Sequence, residues 1–169
     1  MRLKALPYLL ITGVLLISLM ASGCTLPQAS PAPTGTPVPG SPADAGIPEI
    51  SDMSPVDTAL ESRPVFIEFG APWCFWCELE KPVLEDLSAE YPGIAFYSVN
   101  ADESPSLADD FYVQGIPAMY LVVKKNSDGS YLYIDPAGKT SSDRAKSMIR
   151  GYRTYDQLKP LMDAAVAAR

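Results

Sequence analysis

The sequence predicts a three-layer α/β sandwich, a central mixed sheet of four or five strands with helices on both faces, and three observations lead there. Val65-Phe66-Ile67-Glu68-Phe69 is apolar on both alternating faces apart from Glu68, as a strand covered from both sides must be. Apolar runs of strand length alternate along the chain with segments of helical period, notably after Cys74 and after Thr154. Asn126-Ser127-Asp128-Gly129 lies between two such runs, where a hairpin makes one strand pair antiparallel.

The chain opens outside that fold. Arg2 and Lys4 form a basic n-region, Leu6 to Met20 an apolar h-region, and Ala21-Ser22-Gly23-Cys24 a small-residue cleavage site, together the pattern of a secretory signal. A cysteine directly after the small residues resembles the bacterial lipobox, in which that cysteine is acylated and the preceding segment removed. Acylation of Cys24 by two or three chains would hold the protein on a bilayer, since one chain alone binds marginally. An uncleaved amino-terminal anchor, or ordinary cleavage leaving a free Cys24, are the alternatives. From Thr25 to Pro55 prolines recur among Gly, Ser, Thr and Ala, with almost no large apolar residue, a composition that cannot bury enough surface to fold. It reads as a tether biased to polyproline II, at about 3.1 Å per residue, and less readily as a proline-motif ligand. The expected boundaries are therefore 1–23 signal peptide, 24–55 acylated cysteine and disordered tether, and 56–169 folded domain.

Charge narrows the partners. Loss of Arg2 and Lys4 with residues 1–23 leaves 11 basic residues against 20 acidic ones, a net charge of −9. That argues against nucleic acid as a ligand and against electrostatic binding to anionic headgroups, leaving lipid as the means of membrane attachment.

Within the folded region, Ser54 to Ser62 is a short entry helix or strand and Val65 to Phe69 the first central strand. From Cys74 to Tyr91, Leu79, Pro82, Val83, Leu87 and Ala89 recur at roughly helical spacing, broken at Pro82, where a lost backbone bond should kink the helix. Pro92-Gly93 ends it, and Ile94 to Val99 forms the next strand. Ser104-Pro105 supplies an N-cap and a first-turn proline for a short helix to about Tyr112. Strand Ala118 to Val123 and strand Tyr131 to Ile134 flank the hairpin. Ser141 to Ile149 reads as an added helix. Thr154-Tyr155-Asp156-Gln157 is a capping box, followed by Leu158, Leu161, Met162 and Ala165 on one face, which should cover the sheet.

The candidate chemistry lies in Trp73-Cys74-Phe75-Trp76-Cys77, at a junction of strand and helix. If Cys74 opens the helix, its sulfur lies beside unpaired N–H groups and the positive end of the dipole, which favour thiolate over thiol. Cys77, one turn on, is near enough to close a disulfide, so the pair can exchange two electrons with Cys74 attacking and Cys77 resolving. Zinc usually needs four ligands, and with no histidine and only Cys24 left over, one chain cannot assemble a complete site. A purely structural disulfide is the other alternative, although so short a loop removes little entropy from the unfolded chain. Glu68 is the anomaly of its strand. Its carboxyl either stays buried with a raised pKa and relays a proton to or from Cys77, or escapes to the sheet edge.

These residues are similar to the thioredoxin superfamily from about Pro64 to Ala168. Members carry a buried acid on the strand before the motif, here Glu68, and a proline within the following helix, here Pro82. They also have a cis-proline loop facing the dithiol, here Gly115-Ile116-Pro117, and a glycine before the last helix, here Gly151. The resemblance implies that Pro117 is cis and lies against the dithiol, leaving the Ile116 backbone free to pair with an extended substrate; an ordinary trans turn proline is the alternative. Phe75-Trp76 stands where cytosolic thioredoxins have Gly-Pro, Glu78 where lysine is usual, and Ser98 where a lysine often neighbours the buried acid. The aromatic form is more similar to bacterial thioredoxin-like proteins of the envelope. The connection Asp135 to Arg150 is longer than the usual one in the family.

The resemblance implies thiol–disulfide oxidoreduction of protein substrates outside the cytoplasm, on a bacterial membrane, with no metal or organic cofactor beyond the Cys74–Cys77 couple. Trp73, Phe75 and Trp76 are expected to form an apolar docking rim, or else to pack against the fold. Because Glu78 and Glu80 near the helix start oppose an extra negative charge, the expected direction is reduction, recharged by a membrane electron carrier. The alternative from another class is a non-catalytic binding module whose disulfide stays closed.

Overall fold

The computed structural model describes residues 46–169. The expected signal peptide, Cys24 and all of the tether up to residue 45 lie outside the described residues. Within them the chain runs α1 (Ser54–Leu60), β1 (Val65–Gly70), α2 (Phe75–Glu90), β2 (Ala95–Asn100), α3 (Pro105–Asp110), β3 (Ala118–Lys125), β4 (Tyr131–Ile134), β5 (Thr140–Ser141), α4 (Arg144–Ser147), β6 (Ile149–Arg150) and α5 (Tyr155–Ala167).

The sheet is mixed, in order β2-β1-β3-β4-β5, with β6 paired to β3. β1 is flanked on both sides, parallel to β2 across the α2 crossover and antiparallel to β3, so Glu68 stands between Ser98 and Met119. Alternation along β1 divides the core as expected for a doubly covered strand. Val65, Ile67 and Phe69 join Val56, Ala59 and Leu60 of α1 and Leu107, Ala108 and Phe111 from α3 and its end. On the other face Phe66 joins Leu84 and Leu87 of α2 and Leu158, Leu161, Met162 and Ala165 of α5. The three-layer sandwich is the one expected, and the predicted face of α5 covers the sheet. At its start the Thr154 N–H donates to Gln157 Oε1 at 3.0 Å, the reciprocal bond of the capping box.

Order begins ahead of residue 56, earlier than expected. Ser98 donates to the Pro48 carbonyl at 3.0 Å and Ile50 to the Ser98 carbonyl at 2.8 Å, placing Glu49 beside the β2 edge. Ile47 and Ile50 anchor this stretch because they are large apolar residues at the end of a proline-rich one, and Ile50 is buried. Helix α2 continues on both sides of Pro82, and its buried face is Cys77, Glu80, Leu84 and Leu87, with Leu79 exposed. Ser104 occupies the N-cap position of α3 without a side-chain cap bond, and α3 stops at Asp110.

The stretch Ser141 to Ile149 is not one continuous helix. It contains the end of β5, a four-residue turn of helix capped by Asp143, which accepts from the Lys146 N–H at 3.1 Å, and the start of β6. Edge pairing with β3 and β4 satisfies backbone groups that a longer helix would have satisfied internally. The sheet therefore has six strands rather than four or five.

Candidate active site

β1 ends at Gly70 and delivers the chain through Ala71-Pro72-Trp73 to Cys74, the N-cap of α2. Extended backbone at Cys74 turns its side chain back over the first turn, where Sγ accepts the Cys77 N–H at 3.2 Å. A sulfur in this position takes the place of a capping oxygen, and a thiolate there gains from both the N–H and the helix dipole. Cys74 and Cys77 are joined as a disulfide, with Cα atoms 5.3 Å apart.

The sulfurs are less open than expected. Cys74 is 4% exposed and Cys77 8%, while Trp73 is 71%, Phe75 68% and Trp76 53% exposed. Neither cysteine belongs to either apolar cluster of the core. The three aromatic side chains are held in place. Trp73 Nε1 donates to Asp102 Oδ2 at 2.6 Å, Phe75 meets Trp76 edge-on at 5.4 Å between ring centres, and Trp76 leans on Tyr152 at 6.0 Å.

Pro117 follows a cis peptide bond and is buried, and Ile116 is half-buried against the α1/α3 side of the core. Because Ala118 pairs with Phe69, the cis-proline stands at the same end of the sheet as Gly70 and the dithiol.

Behind the disulfide lies a cavity of about 310 Å³ lined by Glu68, Gly70, Cys77, Lys81, Ser98 and Asn100 among others. Glu68 Oε1 is buried without a hydrogen-bond partner. Burial, and secondarily the charge of Glu78, push its pKa up to about 7. The side chain does not escape to the sheet edge, since β1 has a strand on either side.

Glu80 departs from the sequence expectation. It is wholly buried on the inner face of α2, and its Oε1 accepts the Arg153 N–H at 2.7 Å while Oε2 has no partner. Burial pushes its pKa up to about 8 against the pull of that N–H, and Glu68 adds to the rise. It is thus not a fixed charge at the helix start; Glu78 is the acid there. The available signal is its spacing, three residues after Cys77 and four before Leu84 on one helical stripe. Among the described residues no group of three His, Cys, Asp or Glu is placed to hold a metal ion, and no helix is long and apolar enough to cross a membrane.

The profile of the family described as thioredoxin matches residues 53–150. A chloroplastic M-type thioredoxin of Spinacia oleracea is 41% identical over 73 residues, 42% of this chain and 40% of that protein. A thioredoxin of a Synechocystis strain is 34% identical over 76 residues, 44% of this chain and 71% of that protein. The chain thus spans less than half the length of the chloroplastic relative. Among solved structures, a mutant thioredoxin from Halobacterium salinarum is similar with a TM-score of 0.54 at 24% identity, covering 75% of this chain and 94% of that one. Oxidised mitochondrial thioredoxin 3 from Saccharomyces cerevisiae gives 0.51 at 23% identity, over 69% of this chain and 94% of that one. These structural likenesses establish the fold.

Proposed function

Since the chain belongs to the thioredoxin family, we propose that it is a thiol–disulfide oxidoreductase acting on protein disulfides, held outside the cytoplasm by a lipid on Cys24 and working in the reducing direction. The observation that carries the chemistry is the Cys74 sulfur at the N-cap of α2, accepting the Cys77 N–H at 3.2 Å and bonded to the Cys77 sulfur.

In the reduced enzyme, the Cys74 thiolate attacks one sulfur of a substrate disulfide. A Cys74–substrate disulfide forms, and the other substrate sulfur leaves as a thiolate that takes up a proton. Cys77 then gives its proton to Glu68 and attacks the Cys74 sulfur, releasing the second substrate sulfur and closing the Cys74–Cys77 disulfide. Two electrons have passed to the substrate, and a membrane electron carrier returns the dithiol. Trp73, Phe75 and Trp76 form the docking rim, and Ile116 with Pro117 aligns the substrate chain. The chemistry requires only the cysteine couple, without a metal or organic cofactor.

Support for the reducing direction lies around Cys77. Glu78 lies in the first turn of α2, and Glu68 lines the cavity behind Cys77. A thiolate beside acidic groups is stabilised weakly, and a dithiol whose reduced form is stabilised weakly is a better reductant. The anchor and the location rest on the sequence 1–24 alone.

Insulin reduction in the presence of dithiothreitol tests the activity, with Cys74→Ser as control. Turnover by the native protein and its loss in the variant is expected. Equal, negligible turnover would favour the binding module, a reading that the small exposure of both sulfurs supports. A dithiol reduction potential close to about −120 mV, that of a strong oxidant, would reverse the direction. Metabolic labelling with palmitate, abolished by Cys24→Ala, tests the anchor.

A further inference from the structure

The connection 135–148 is spliced into a strand. β4 ends with Ile134 opposite Leu121 and β6 begins with Ile149 opposite Met119, so only Tyr120 separates the two pairings on β3. β4 and β6 are two halves of one strand, and the intervening chain is looped out from its middle. Such a loop is not needed to join the two halves.

What it touches is the connection between α3 and β3, which carries Ile116 and Pro117. Arg144, the first residue of α4, donates from Nη1 to the carbonyl of Asp110 at 2.7 Å and from Nε to the hydroxyl of Tyr133 at 2.8 Å. Its guanidinium carbon stands 4.5 Å from the centre of the Phe111 ring. Asp110 is the last residue of α3, so its carbonyl is one that the helix leaves unpaired, and a cation complements that end of the helix. The planar fork of arginine makes the two bonds and the ring contact together; a lysine makes one. Tyr120 completes the grip from below, its hydroxyl donating to the Phe111 carbonyl.

The connection needs holding there. Tyr112, immediately after Phe111, has φ +56°, a left-handed conformation that costs free energy in a bulky residue unless its surroundings impose it. At the far end of the loop Arg150 pairs with Ala118, and the Gly151 N–H donates to the Pro117 carbonyl at 2.8 Å. The inserted segment therefore fastens the connection before Tyr112, and the chain that follows it, from β6 to Gly151, fastens it at Pro117 and Ala118.

We propose that Arg144 is a positioning residue for substrate: through Asp110 and Phe111 it sets the loop whose Ile116 backbone receives an extended polypeptide, and so favours protein disulfides over small ones. The inference rests on the oxidoreductase reading above. The bonds and ring contacts of Arg144 go to Asp110, Tyr133, Phe111 and Tyr131, and none of them is made to the dithiol or to Glu68.

The test compares insulin with 5,5′-dithiobis(2-nitrobenzoate), a disulfide too small to need the loop, in the native protein, Arg144→Ala and Arg144→Lys. For Arg144→Ala the KM for insulin should rise about five- to tenfold at nearly constant kcat, with the rate on the small disulfide and the dithiol potential unchanged. Arg144→Lys should recover part of the loss. An unchanged KM, or an equal fall on both substrates, would overturn the inference. If Arg144→Ala does not fold, Tyr133→Phe, which removes only the oxygen that accepts from Nε, decides by the same criteria with a smaller expected rise. Absence of turnover on both substrates in the native protein is a different failure, that of the oxidoreductase reading.

Discussion

Cys77 Sγ and Glu68 Oε1 converge on Gly70: a Cβ added to that glycine would stand 3.4 Å from the sulfur and 3.5 Å from the carboxylate oxygen. Those are ordinary van der Waals distances, so Gly70→Ala should fold, with stability within about 1 kcal/mol of the native protein. The added methyl would stand between the two groups, across which the proposed proton transfer runs. Stopped-flow measurement of mixed-disulfide resolution should show it slowed, with the initial attack by Cys74 unaffected. Normal resolution in a folded Gly70→Ala protein would separate Glu68 from the chemistry.

Glu68 must be ionised to accept the Cys77 proton, and burial has pushed its pKa up to about 7. The resolving rate should therefore rise with pH through about 7 and level off above it. Glu68→Gln should remove that inflection and slow resolution at mildly alkaline pH by a factor on the order of 10², the lower range of general-base catalysis. A pH–rate profile of single-turnover insulin reduction makes the comparison.

Glu80 bears on stability. Its pKa is raised to about 8, above the unfolded value, so the folded state favours the protonated form. The stability this gives is complete below the unfolded pKa of 4.5 and is lost as pH rises through about 8, with Glu68 contributing in the same sense up to about 7. Urea unfolding of the oxidised protein should show stability falling from about pH 5 to about pH 8. Glu80→Gln keeps an oxygen for the Arg153 N–H and removes the titration, so it should flatten the fall and gain on the order of 1–2 kcal/mol at the upper end of that range. A variant as pH-dependent as the native protein would contradict this assignment.

Trp76 is half exposed and leans on Tyr152. Trp76→Ala should cost at most about 1.5 kcal/mol of stability, the range of an aromatic pair. Its KM for insulin should rise several-fold, a change visible in the same turnover assay. No change in KM would assign the ring to packing alone.

Much of this is legible along the chain. The doubly apolar run at Val65–Phe69, the hairpin at Asn126–Gly129 and the stripe Leu158, Leu161, Met162 and Ala165 each carry a period that a backbone imposes locally. Cys74 and Cys77 are legible for the same reason: one helical turn separates them, and the turn fixes their reach. Glu80 is not, because a charged residue between exposed Leu79 and Pro82 looks like part of a solvated face. Nor is Ser141–Ile149, whose polar residues match a helix about as well as a loop, since nothing in the segment records the open edge of β3 that pairs with it.

The identity of the long strands and helices, and the meeting of two sulfurs at a helix start, follow from neighbours within a few residues and so are written in the chain. Burial of the Glu68 and Glu80 carboxyl oxygens, the small exposure of both sulfurs and the reach of Arg144 to the end of α3 come only with the folded layers. Each of these is set by the distance between residues far apart in the chain, and desolvation, which governs the carboxylates, exists only once the layers have closed over them.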